Sequence, residues 1–139
     1  MVKTGKRTVS DWAVIILGCI GFLLGISGII DPHSQYDMLR LESASIAQGS
    51  VIPVLLSSAS LSAMYVGIMY IYGILNNWRG FKAYLVFARS LMCIGFLVLV
   101  SLGKAPGVYL SAAIWEGIGA VIILVVLWWD RYKHSRLVQ

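Results

Sequence analysis

Charge is the scarcest property of this chain. Its 139 residues include 11 Lys or Arg and six Asp or Glu, and 12% are charged, against about 25% in an average soluble domain. The hydrophobic share is 59% and the mean hydropathy is +0.84. So few charges cannot furnish the polar shell of a water-soluble domain of this size, and so much apolar content excludes disorder. The two cysteines, Cys19 and Cys93, form no CxxC motif. That excludes a disulfide scaffold, argues against thiol-redox chemistry and leaves them as small packing residues. The two histidines, His33 and His134, lie outside the apolar runs, so no metal site is expected. Phosphate-binding glycine loops and nucleophile elbows are missing, and no cofactor is implied. No basic run is long enough to track phosphates, so the net charge of +5 does not point to nucleic acid.

What the chain does have is four long apolar runs. Their boundaries are residues 12–30, 51–75, 84–102 and 108–129. Four spans of about 20 residues use about 80 residues, close to the hydrophobic total. Only helices satisfy the backbone of such runs in lipid, and the alternating segments of a barrel are missing. The expected fold is all-α: one integral membrane domain over residues 1–139, folded as a four-transmembrane-helix bundle. Asp31-Pro32, Asn76-Asn77, the 103–107 segment Gly-Lys-Ala-Pro-Gly, and Asp130-Arg131 mark the stops.

The basic residues give a direction. Lys3, Lys6 and Arg7 precede the first run, Arg79 and Lys82 lie between the second and third, and Arg131, Lys133 and Arg136 follow the fourth. With four spans these segments share one side, and only Arg40 and Lys104 fall on the other. The positive-inside rule then places both termini in the cytosol. Trp12, Trp78, Trp128 and Trp129 fall at the same interface, where indole rings concentrate. Contact with anionic lipid headgroups is a further expectation. The alternative for the first run is a cleaved signal peptide. Its 19 residues exceed the usual h-region of about 7–15, and cleavage would separate the basic segments onto opposite sides.

The connection from Asp31 to Ser50 is the longest, and it holds His33, Tyr36 and the amphipathic stretch Met38-Leu39-Arg40-Leu41. It reads as a solvated connection with a short interfacial helix; a lid is the alternative. In the first run, Gly18, Gly21, Gly25 and Gly28 share one helical face, a seam for close helix packing. In the second, Ser58, Ser62, Tyr65, Met69 and Tyr72 form a stripe expected to face the bundle, either as interhelical hydrogen bonding or as a pocket wall.

Two charges sit inside the runs: Arg89 in the third and Glu116 in the fourth. Ionisable groups within a bilayer are costly and mark a function or a buried pair. Counting about 1.5 Å per residue puts them roughly 10 Å apart along the membrane normal, within reach of two long side chains. Small neighbours Ala112, Ala113, Gly119 and Ala120 turn Glu116 inward. Two readings stand. One is an ion pair that fixes helix register. The other is a polar site with Glu116 and Arg89 as catalytic residues and Tyr65, Tyr72, Trp115, Ser62 and Met69 as substrate-binding residues.

The chain also resembles the DoxX-like superfamily of small four-helix integral membrane proteins. The similar features are a glycine-rich first span ending in Pro (Gly25 to Pro32), the 61–67 segment Leu-Ser-Ala-Met-Tyr-Val-Gly, Ala88-Arg89 in the third span, and Trp115-Glu116 in the fourth. What the resemblance implies is the four-helix bundle rather than a reaction. The chain does not look like the four-span multidrug exporters, which carry their membrane carboxylate in the first span. The leading expectation is a membrane protein that binds a lipophilic small molecule and acts as an isomerase- or cyclase-type tailoring enzyme. The alternatives are a non-catalytic subunit or assembly factor of a membrane complex, and a small transporter. Membrane lipids are partners in each case, and a homo-oligomer is compatible with all three.

Overall fold

The computed structural model describes residues 7–32, 37 and 52–137. Among them are four helices: α1 (Val9–Ile30), α2 (Ile52–Leu75), α3 (Phe81–Ser101) and α4 (Tyr109–Leu137). Each contains a segment long and apolar enough to cross a membrane: Val9–Ile30, Pro53–Leu75, Phe81–Ser101 and Tyr109–Lys133. The shortest, α3, has 21 residues and measures roughly 32 Å, enough for a hydrocarbon core of about 30 Å. Only 11–28% of the residues in these segments are buried within the chain. Leu23, Leu24, Ile30, Val54, Phe87, Ile114 and Trp128 stand among the exposed side chains. Water would not tolerate so much exposed apolar surface, whereas lipid covers it without cost. This is the composition and surface of a multi-pass membrane protein. His33, Tyr36, the 38–41 stretch and most of the first long connection lie outside the described residues.

The first and third helices begin earlier than expected, at 9 and 81, and the fourth runs on to 137, each for local reasons. α1 begins at Val9 because Thr8 and Asp11 form a capping box. The Thr8 backbone N–H donates to Asp11 Oδ2 at 2.8 Å, and the Asp11 N–H donates to Thr8 Oγ1 at 3.3 Å. α2 stops where expected. The Trp78 N–H reaches the Gly73 carbonyl at 3.0 Å and the Asn77 N–H reaches that of Ile74 at 3.1 Å, with Asn77 left-handed at φ 51°. α3 ends in the same motif: Lys104 N–H to Leu99, Gly103 N–H to Val100, and Gly103 at φ 67°. α4 continues to Leu137 because residues 130–137 contain neither Gly nor Pro to stop it.

The chain divides into two compact units, Met1–Ile16 with Gly73–Gln139, and Leu17–Tyr72. In the second unit the glycine seam of α1 packs against α2. A Cβ on Gly67 would stand 2.6 Å from the Gly18 carbonyl oxygen, and one on Gly25 would stand 2.6 Å from that of Ser60. The two backbones touch because no side chain keeps them apart.

The buried residues of α2 are Ser60, Gly67, Tyr70, Gly73 and Ile74. The serine–tyrosine stripe is not among them. Ser58, Ser62, Tyr65 and Tyr72 are exposed and Met69 is half-buried. The reason is local. Ser58 Oγ donates to the Leu55 carbonyl at 2.8 Å and Ser62 Oγ to that of Ser58 at 2.9 Å. Hydroxyls bonded back to their own helix need no partner helix.

In the first unit, α3 and α4 pack side by side. α3 buries Phe81, Leu85 and Arg89, spaced by four. α4 buries Ala113, Gly119, Ala120 and Ile123. A polar knot closes one end of this unit. Lys82 Nζ lies 2.6 Å from Asp11 Oδ1 and donates to Ser10 Oγ at 2.7 Å and Thr8 Oγ1 at 3.1 Å. The Ser10 N–H donates to Asp130 Oδ2 at 2.9 Å. The start of α1, the start of α3 and the C-terminal part of α4 therefore meet at one end of this unit.

Candidate functional site

Arg89 continues the buried ridge of α3 one helical turn beyond Leu85. A charge in that position must be met from the facing helix. Glu116 on α4 meets it: Arg89 Nη1 lies 3.2 Å from Glu116 Oε2. The side chains close the separation of roughly 10 Å that helix rise alone suggests. Trp115 completes the setting from the same turn of α4. Its carbonyl accepts a long hydrogen bond of 3.5 Å from Arg89 Nη1, and its ring centroid lies 5.9 Å from the guanidinium carbon.

Space for the guanidinium comes from Gly119. A Cβ there would collide with Arg89 Nη1 and stand 2.7 Å from Cζ. Gly119 lies three residues after Glu116, on the same face of α4, so one helical turn supplies both the partner and the cradle. Cys93 is half-buried nearby, its Sγ 3.2 Å from where a Cβ on Gly117 would stand. Cys19 is exposed rather than packed.

The pair is asymmetric. The Arg89 side chain is 7% exposed and that of Glu116 is 22% exposed. Among the described residues, Arg89 is the one polar partner shown for the Glu116 carboxylate. A carboxylate has about four lone-pair positions, so most of its acceptor capacity is unused by the protein. Chemically, the arrangement is a fixed positive charge deep in the helix pair and a carboxylate at its open edge.

Three of the expected site residues, Arg89, Glu116 and Trp115, come together. Ser62, Tyr65, Met69 and Tyr72 belong to the other compact unit. Two features escaped the reading of the sequence. The knot of Thr8, Ser10, Asp11, Lys82 and Asp130 had a visible signal, since Thr-x-x-Asp before an apolar run is a helix-start pattern. The cradle at Gly119 had none beyond small size, because only the packing of α3 on α4 shows what fills the missing side chain. No protein-family model, curated protein or solved structure matches the chain.

Proposed function

We propose that this protein holds a lipophilic small molecule within the membrane against the Arg89–Glu116 pair. Glu116 serves as acid or base and Arg89 stabilises negative charge. The observation that carries the reading is the carboxylate at the open edge of the helix pair, 22% exposed and bonded on one side only. Water is scarce at that depth, so the group that completes its hydrogen bonding is the polar end of an apolar molecule. Trp115, 38% exposed beside the pair, offers that molecule an aromatic face. Isomerisation or cyclisation of an isoprenoid-like metabolite suits one acid or base beside one fixed cation. The DoxX-like kinship belongs to the same proposal, as do the four-helix membrane bundle and the cytosolic placement of both termini. Reporter fusions at the two termini test the orientation.

The site test uses purified protein in nanodiscs. Lipophiles are extracted from wild type, Glu116→Gln and Arg89→Ala, and their turnover is followed by mass spectrometry. Wild type is expected to carry and convert a lipophile that both variants lose. Equal content and conversion in all three, with folding intact, would sink the proposal.

A second reading, a subunit of a membrane complex or a homo-oligomer, is favoured by the exposed Ser58, Ser62, Tyr65 and Tyr72 on α2. Crosslinking in native membranes from a photoreactive group at position 65 tests it. Labelling of lipid alone counts against it.

A further inference from the structure

The knot that closes the first unit also decides which charges at that end remain available. The acids of this unit are Asp11, Glu116 and Asp130. Each is engaged: Asp11 with Lys82, Glu116 with Arg89, and Asp130 with the Ser10 backbone. Lys82 is held in the knot and is not free to meet an outside anion. Arg79, Arg131 and Lys133 are exposed, and none makes an ion pair among the described residues. Arg79 lies just before α3, while Arg131 and Lys133 follow Asp130 within one turn of α4. The Ser10–Asp130 and Lys82–Asp11 contacts bring those segments to one end.

Exposed aromatic rings lie in the same segments as these bases. Trp78, Trp128 and Trp129 are 47%, 64% and 47% exposed. The Lys133 ammonium sits 5.6 Å from the Trp129 ring centroid, and Trp128 stacks on Tyr132 at 5.9 Å. Below them α4 presents exposed Val121, Leu124 and Val125. The order along the helix is thus apolar surface, indole rings, then unpaired bases. A phospholipid shows the same order: acyl chain, glycerol region, anionic phosphate. An acidic soluble protein would match the bases but not the apolar surface directly beneath them.

We propose that Arg79, Arg131 and Lys133 form a binding surface for the headgroup of an anionic phospholipid in the leaflet at this end, with Trp128 and Trp129 against its glycerol region. The surface is separate from the Arg89–Glu116 pair, and its test does not depend on what that pair does.

The test is native mass spectrometry of delipidated full-length protein in detergent, titrated with phosphatidylglycerol or phosphatidylcholine of identical chains. Wild type is expected to bind phosphatidylglycerol at least about tenfold more tightly, since each base near a membrane surface is worth about a fivefold change. The triple variant Arg79→Gln/Arg131→Gln/Lys133→Gln is expected to lose that preference. These positions are exposed, and an unchanged far-ultraviolet melt verifies the fold. Lys104→Gln, at the other end of α3, is expected to keep the preference. Millimolar inorganic phosphate is expected not to compete, which separates a lipid from a free-anion site. Equal binding of the two lipids overturns the proposal. So does a preference that survives in the triple variant, is lost in Lys104→Gln, or is abolished by phosphate. Should the triple variant misfold, Arg131→Gln alone is expected to weaken the preference about fivefold, and no change there overturns the proposal as well.

Discussion

The guanidinium of Arg89 occupies the space where a side chain on Gly119 would stand. One helix supplies the charge and the other supplies a gap, and the gap lets the Arg89 guanidinium come close to α4 beside Glu116. Replacing Gly119 by Ala therefore expels the guanidinium. The expected cost is about 1–3 kcal/mol from overpacking. It is measured as lowered resistance to unfolding in detergent. An Ala variant as stable as wild type would show that Arg89 has another resting place.

Breaking the ion pair from either side leaves an uncompensated charge among apolar neighbours. Arg89→Met and Glu116→Leu are each expected to destabilise by about 3–5 kcal/mol, while the double variant recovers most of the loss. The half-open position of Glu116 puts its own variant at the low end of that range. A double-mutant cycle by unfolding in detergent checks the coupling. The double variant also separates stability from function: it is expected to fold and yet carry no lipophile.

The α1–α2 seam leaves no room for a β-branched side chain. Gly67→Val places atoms against the Gly18 carbonyl and the Phe22 backbone nitrogen, both within 2.7 Å of the new Cβ. Backbone cannot rotate away as a side chain can, so a loss of at least about 1–3 kcal/mol is expected. Gly95, with no heavy atom within 4 Å of its Cβ position, tolerates Ala. The pair of variants, compared by yield of monodisperse protein, shows whether glycine content or glycine placement matters.

At the other end of the first unit, Thr8→Ala removes the N-cap of α1 and one Lys82 contact. About 1 kcal/mol is expected for the cap. Amide exchange in the first turn of α1 reports it directly, and protection equal to wild type would exclude the capping role. Because Lys82 is exposed in part and paired with Asp11, Lys82→Gln is expected to speed the same exchange.

Much of this was legible in advance. Hydrophobic runs locate all four helices because lipid demands both length and internal hydrogen bonding. The stops at Asn77 and Gly103 were readable because left-handed residues end helices by local geometry. Arg89 and Glu116 stood out because charge inside an apolar run has few explanations. The stripe on α2 carries no such signal, because its serines satisfy themselves on their own helix.

The scarcity of charge and the four apolar runs determined that the chain has four helices long and apolar enough to cross a membrane, and which two charged residues interrupt them. Only the tertiary structure decided that Arg89 and Glu116 bond directly, that Gly119 makes room for them, and that Lys82 is tied down while Arg79, Arg131 and Lys133 are not. The division has a physical cause. Burial in lipid depends on composition averaged over about 20 residues, which a sequence displays openly. An ion pair depends on distances of a few ångströms between helices, and those exist only once the helices have packed.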